Sequence, residues 1–515
     1  MSRFSRRSFF KWSGITAAAI LTPLSGYAGY QWSRMDITNS GKVQFAQPLA
    51  IPPVIDLEPD RDGRATPELD IRPGVSSFVP GSSTPTWGIN GTYLGPTLRG
   101  KRGTTVAPRI TNNLPEITTL HWHGMELPAR ADGGPHQMID PGGTWMPEWV
   151  IDQPAATLWY HPHPHGTTRQ HVYRGLAGLF LVEDDQPTGL PDTYGVDDIP
   201  LIVQDKRFSG DGSLDESELD FSIINSLGLL GDTILVNGTW GPVLDIRDEL
   251  VRFRILNGSN ARIYDFAFTD QREFQVIAAD SGYLPAPVTV NHVQLSPGER
   301  SEIVVKFTPG ESVLLRSQPP DLGTMPLYGR VIGGDDQFDV LLIRATSSLR
   351  PSRVIPASLP APPPIPQTGT LPERSFSLGT RSINGDKMDM DRIDFVVPLG
   401  TPETWKIKNA QGIPHNFHVH NAMFQVLDID GHPPPPALAG FKDTVYVPPL
   451  QTVRFAVQFG QFADPFTPYM VHCHLLAHED SGMMLQFVMV EPGTEDQVNR
   501  QLPPSSPASG QHHHP

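Results

Sequence analysis

Apolar residues in this chain come in short runs, not in long periodic stripes. Val251-Arg252-Phe253-Arg254-Ile255 alternates apolar and basic side chains, the period of a strand with one face buried. Further β-rich runs predict strands at 176–183, 200–204, 302–307, 340–345, 453–457 and 484–490. Proline (54) and glycine (47) punctuate the gaps, and no segment has the pattern of a long amphipathic helix. The pattern therefore predicts an all-β chain. One run departs from it. Ile15 to Leu24 is apolar and alanine-rich, follows Ser5-Arg6-Arg7-Ser8-Phe9-Phe10-Lys11, and leads to small residues near Ala28. That order is an export signal of the twin-arginine type over residues 1–28, too short to span a bilayer, which needs about 20 residues. It predicts a periplasmic or exported protein.

A turn-plus-strand unit recurs along the chain. Ile89-Asn90-Gly91, Val236-Asn237-Gly238 and Ile383-Asn384-Gly385 place their Asn-Gly pairs 147 residues apart each time. Each is followed by a strand-like segment that ends in asparagine: 108–113, 251–257 and 403–409. Asn-Gly favours a tight hairpin, and equal spacing predicts three copies of one β-sandwich domain. The expected layout is domain 1 at 45–187, domain 2 at 192–350, domain 3 at 373–492 and a polar tail at 493–515. Between the second and third domains, 351–372 holds eight prolines and predicts a stiff extended linker.

Composition narrows the chemistry. The net charge is −16, and removal of the signal would leave 35 basic against 55 acidic residues, a balance that argues against nucleic acid as a partner. A single cysteine, Cys473, excludes an internal disulfide, a zinc ribbon and a cysteine-held iron–sulfur cluster. The 18 histidines are clustered. Domain 1 has His121-Trp122-His123 and His161-Pro162-His163-Pro164-His165; domain 3 has His415-Asn416-Phe417-His418-Val419-His420 and His472-Cys473-His474 with His478 beyond; domain 2 contributes only His292. Two metal-bearing halves must therefore meet, with the middle domain as spacer.

Cys473, His478 and Met483, with His415 as a second imidazole, match the two-histidine, one-cysteine set with a weak axial methionine of a blue-copper centre. Zinc would call for harder or all-thiolate ligands, and a nucleophilic cysteine for a single histidine base. Side chains alternate along an extended segment, so His472 and His474 point away from Cys473 and serve a different metal two peptide bonds away. With the pairs 121/123, 161/163 and 418/420 they make eight imidazoles.

These four segments resemble the copper-binding signatures of the multicopper oxidases, over essentially the whole chain after the signal, and the three-domain bacterial type in particular. The resemblance implies three cupredoxin-like Greek-key β-sandwich domains and four copper ions per chain. It implies a type 1 copper on His415, Cys473, His478 and Met483, and a type 2 copper on His121 and His418. It implies a type 3 pair on His123, His161, His163, His420, His472 and His474. Asp132 and Glu479 match the family's acids that relay protons, His165 stands beside the ligands, and Asp443 would fix a ligand imidazole. The implied activity is laccase-like: single electrons from phenols or aromatic amines, with O₂ reduced to water, in a monomer without stable membrane insertion. A periplasmic cuprous oxidase acting on Cu(I) is the alternative. It is weakened because Gln411 and Ile413 stand where an acid and a methionine are expected, and no methionine-rich insert is present. Met388 and Met390, beside Asp389 and Asp391, suit a soft-metal site or strand packing. A non-catalytic copper-binding or scaffold protein, like cell-division relatives that have lost ligands, is the alternative of another class.

Overall fold

The asparagines of the repeat show how one unit is folded three times. In the computed structural model, which describes residues 37–79, 81–184, 188–217, 227–365 and 371–502, Asn90, Asn237 and Asn384 all adopt left-handed backbone, with φ of 58°, 50° and 58°. Asparagine tolerates that region because its short polar side chain bonds locally. Each Oδ1 accepts a backbone N–H from a neighbouring strand: Asp70 at 2.7 Å, Ile202 at 2.8 Å and Ser377 at 2.8 Å. The second and third are two-residue hairpins, closing Val236 on Thr239 and Ile383 on Asp386. The first is wider, with Gly88 bridging Leu94, so the expected hairpin is not made there.

The strand-ending asparagines repeat more closely still. Asn112, Asn257 and Asn409 are fully buried, and each Oδ1 accepts the N–H two residues on, from Leu114, Ser259 and Gln411. Each Nδ2 donates to one nearby and one remote carbonyl: Glu116 and Ile139, Arg262 and Leu295, Ile413 and Val447. A buried amide with three bonds fixes the loop between two strands, because any other path leaves polar groups unpaired.

Around these latches each domain builds two main sheets, with a small three-stranded sheet added in domain 1, an all-β architecture of cupredoxin type. In domain 1 a four-stranded sheet contains Glu68–Ser76, Thr84–Ile89 and Arg109–Asn112, and a five-stranded sheet contains Gly178–Glu183, Ala156–His161 and His121–His123. Domain 2 pairs a seven-stranded with a six-stranded sheet. Domain 3 repeats the first plan, four strands against five, the latter holding Met484–Val490, Asp464–His472, His415–Val419 and Thr444–Val447. Each domain has a main apolar cluster, and that of domain 3 runs on into Ala129 of domain 1 and Ala261, Ile263, Leu322 and Ile332 of domain 2.

Three connections differ from the sequence expectation. Gln47–Pro48 pairs in parallel with Pro242–Asp248, so the arm assigned to domain 1 extends a sheet of domain 2. The described part of the proline-rich stretch runs without secondary structure but buries Leu359 in an apolar cluster between domains 1 and 2 and Ile365 against domain 3. The first ten tail residues fold back, with Leu502 buried against Ile393, Val396, Val488 and Val490. The export signal and the last three histidines lie outside the described residues. Among the described residues no helix is long and apolar enough to cross a membrane.

Candidate metal centre

The two five-stranded sheets put equivalent strands at one seam. In domain 1, His121–His123 pairs with Ala156–His161 so that His121 faces His161; in domain 3, His415–Val419 pairs with Asp464–His472 so that His418 faces His472. Each sheet thus ends in a cross-strand histidine pair, and the chain carries a further histidine past each strand end, His163 and His474. The two ends meet face to face: the rings of His121 and His420 stack at 3.9 Å, and those of His123 and His418 at 3.7 Å. All eight side chains are buried.

The imidazoles sort by which nitrogens approach. His420 Nε2 and His163 Nε2 lie 3.2 and 3.1 Å from His472 Nε2. His123 Nδ1 and His474 Nε2 each lie 3.4 Å from His161 Nε2. His121 and His418 form the remaining pair. Each donates Nδ1–H to a backbone carbonyl, of Asp132 and of Asp443, both at 2.9 Å. Their buried Nε2 atoms have no hydrogen-bond partner, and one ring nitrogen from each of His121, His418 and His420 lies within 4.8 Å of the other two. A buried nitrogen lone pair left without a donor is costly unless it binds something. Imidazole nitrogens of this kind are what copper takes. Burial, reinforced by neighbouring imidazoles, pushes His121 and His420 well below the usual range; burial takes His161 to about 3 and His163 to about 4. They are therefore neutral and able to ligate at neutral pH.

The sulfur site lies on the other side of Cys473. Its Sγ is 3.6 Å from Nδ1 of His415 and 3.6 Å from Nδ1 of His478, and those nitrogens are 3.2 Å apart. His415 comes from a strand and His478 from the helix Leu476–Asp480. Met483 is buried in the same cluster as Cys473, and its carbonyl and N–H bond the backbone of Cys473 and His478. Three donors at near-equal distances, one of them a sulfur, fit a soft, three-coordinate metal. Burial pushes the Cys473 thiol up to about 12, so the thiolate form depends on a cation replacing its proton.

Acids and amides hold the rings. Asp132 Oδ2 accepts His420 Nδ1–H at 2.8 Å, and burial pushes its carboxyl well above the usual range. Glu479 lies beside two rings, Oε2 at 3.2 Å from His472 Nδ1 and Oε1 at 3.5 Å from His163 Nδ1. Burial raises this carboxyl, but those two imidazoles outweigh it and hold it well below the usual range. Asp443 Oδ1 accepts His123 Nε2–H at 3.0 Å, which turns Nδ1 of that ring toward His161. Asn416 and Thr119, which sequence reasoning passed over, accept the backbone N–H groups of His474 (2.6 Å) and His163 (2.7 Å).

The middle domain is more than the spacer expected from its lack of histidines. Its turn Ser296–Arg300 packs on the site: a Cβ at Gly298 would lie 3.1 Å from the His474 ring, and the Pro297 carbonyl accepts from Asn416. Arg300, fully buried, bonds both oxygens of Asp443. No local motif marks it, since a turn ending in Glu-Arg is common on protein surfaces. His165 is exposed rather than packed among the ligands, because the turn after Pro164 carries it off the strand line. Met388 and Met390 lie half-buried in a loop, not in a strand as the packing alternative required.

Three β-sandwiches joined around clustered histidine and cysteine ligands define a copper-dependent oxidoreductase. Family models, each described as multicopper oxidase, match residues 70–187, 192–313 and 360–493. The multicopper oxidase mco of Staphylococcus epidermidis is 35% identical over 449 residues, 85% of this chain and 91% of its own. The cell division protein FtsP of Escherichia coli K12 is 36% identical over 494 residues, 94% of this chain and 98% of its own. Among solved structures, the bacterial laccase-like multicopper oxidase CueO of Ochrobactrum sp. superposes with a TM-score of 0.78 at 37% identity, covering 86% of this chain and all of the other. The chain belongs to the multicopper oxidase family, and its chemistry is laccase-like.

Proposed function

We propose that this enzyme takes single electrons from phenols or aromatic amines beside His415 and His478 and reduces O₂ to water among the eight imidazoles. His415, Cys473, His478 and Met483 would hold a type 1 copper, and His121 with His418 a type 2 copper. His123, His161 and His474 would hold one type 3 copper, and His163, His420 and His472 the other, four ions per chain. Bound copper supplies one-electron exchange at the sulfur site and a multi-electron reductant for O₂ at the imidazole site. The protein supplies the rest. Cys473 is bonded through the backbone to both His472 and His474, which gives a short covalent path between the two sites. Asp132 holds the proton of His420 Nδ1, and Glu479 faces His163 and His472, so an acid flanks the imidazole set on each side and can pass protons inward.

The observation that carries this reading is the complete donor set with its two buried, partnerless Nε2 atoms. It also favours an enzyme over a non-catalytic scaffold, which would have no need of aligned ligands. The Ochrobactrum relative is described as an oxidase toward lignin model compounds and lignosulfonate, which supports phenolic donors here. The net negative charge supports attraction of cationic donors at low ionic strength. One observation keeps Cu(I) as a second donor: Met388 donates its backbone N–H to Gly482 at 2.9 Å, next to Met483. The Arg6-Arg7 leader supports export to the periplasm by the twin-arginine route.

Oxygen uptake by the copper-loaded enzyme with a phenol, bilirubin and a Cu(I) salt tests the donor. The phenol should give the highest kcat/KM, and a clear preference for Cu(I) would reverse the order of the two readings. Cys473→Ser should abolish the blue absorption and donor oxidation together.

A further inference from the structure

We infer that Arg300, a residue of the middle domain, is a positioning residue for the imidazole site, clamping Asp443 so that His123 and His418 present the nitrogens a metal needs. The inference rests on the reading of those two histidines as ligands and extends it to a domain that supplies none.

The geometry is over-determined. A guanidinium has five N–H donors in a fixed plane, and Arg300 uses all five. Nε–H goes to the Thr157 carbonyl of domain 1 at 2.9 Å. One Nη serves the Gly298 carbonyl (3.1 Å) and Asp443 Oδ1 (2.7 Å); the other serves the Asp280 carbonyl (2.9 Å) and Asp443 Oδ2 (2.6 Å). One side chain thereby joins all three domains. Thr157 lies on Ala156–His161, the strand that ends in a ligand histidine, and Asp443 immediately precedes Thr444–Val447, the strand that backs His415–Val419.

Asp443 passes the constraint on. Its Oδ1 accepts His123 Nε2–H and its main-chain carbonyl accepts His418 Nδ1–H, while Thr444 Oγ1 lies 3.0 Å from the first ring and 3.1 Å from the second. Because each ring is held at one nitrogen, the other is left for metal, Nδ1 in His123 and Nε2 in His418. The pocket has no slack. Gly124, with φ of +86°, lies where a Cβ would come within 2.5 Å of Asp443 Oδ2 and 2.8 Å of an Arg300 Nη. Ser281 Oγ closes the remaining side at 3.1 Å. Lysine could not replace Arg300, since it has three donors and no planar fork.

Arg262 provides the matched control. It is an equally buried arginine of the same domain, paired with Asp205 and Asp336, and it touches no site residue. Full-length wild-type, Arg300→Gln, Arg300→Lys and Arg262→Gln proteins are loaded with copper and dialysed against a graded chelator. Copper held at the sulfur site is read from the blue absorption, and copper at the imidazole site from total metal and electron paramagnetic resonance. Loss of an outer hydrogen-bonding partner typically weakens metal binding 10–100-fold. Arg300→Gln should lose imidazole-site copper about 10–100-fold more readily than wild type while keeping the blue absorption, with Arg300→Lys shifted in the same direction. Arg262→Gln should lower the unfolding midpoint without this selective loss. Should Arg300→Gln fail to fold, Arg300→Lys against Arg262→Gln decides by the same criterion. Wild-type retention in the Arg300 variants, or equal loss from both sites in Arg300 and Arg262 variants, overturns the inference. Failure of the wild type to hold copper at the imidazole site would instead overturn the ligand assignment beneath it.

Discussion

Asp132 and Glu479 are both buried carboxyls beside ligand imidazoles, yet their surroundings push them opposite ways. Desolvation dominates at Asp132 and favours the protonated acid; two nearby rings dominate at Glu479 and favour the carboxylate. Two carboxyls on two sides of one site are thus biased in opposite directions. Asp132→Asn separates acidity from positioning, because the amide oxygen can still accept His420 Nδ1–H. It should slow reoxidation of the reduced enzyme by O₂ by about 100-fold while leaving reduction of the blue chromophore by donor near wild type. Stopped-flow single-turnover measurements follow the two steps separately, and equal slowing would remove the proton role. At this scale the sequence was informative where chemistry is local. Residue types clustered within a few positions marked all ten histidines and Cys473, while Asp132 and Glu479 were marked by the resemblance to the family. Arg300 and Asn416 escaped notice because their partners are brought to them only by tertiary packing, and nothing beside them in the chain signals it.

The strands and their latches explain why motif spacing survives folding. The first His-x-His motif of each domain lies on or at the end of a strand at or near a sheet edge, paired with the strand that ends in the next motif, so two local patterns become one cross-strand pair. Asn257 shows what the latches do for the site. It bonds Ser259, Arg262 and Leu295 through its side chain, and its main chain pairs with Gly298 and Glu299 in the turn that supports His474 and Arg300. Asn257→Ala leaves two carbonyls and an N–H buried without partners. It should cost about 2–4 kcal/mol, seen as a lower urea midpoint, with weaker copper retention at the imidazole site. An unchanged midpoint would mean that the loop repacks without the amide. The equal spacing of the Asn-Gly pairs made the threefold unit legible, and the strand-ending asparagines could be seen but not their bonds. The register-setting residue proved to be Asn112, one position before the end of the predicted strand, because alternation decides which side chain points inward.

At the scale of the molecule, three sandwiches each build a main core, that of domain 3 continuing into its neighbours, and the clustered histidines lie at the seam between them. Domains 1 and 3 supply the clustered histidines and Cys473; domain 2 packs against both through Arg300, the turn before it and the ion pairs of Lys442 with Asp280 and Glu299. The fold class and repeat were readable from short β-rich runs and turn signals. The crossing of the N-terminal arm to domain 2 and the burial of Leu359 and Ile365 were not, since they depend on surfaces that distant segments build only on folding. The division of labour has one direct test: the ratio of phenol oxidised to O₂ consumed by the copper-loaded full-length enzyme, with hydrogen peroxide assayed in the same vessel. Electrons entering one at a time and leaving together should give four one-electron oxidations per O₂ and no peroxide. A ratio of two with matching peroxide would contradict the account.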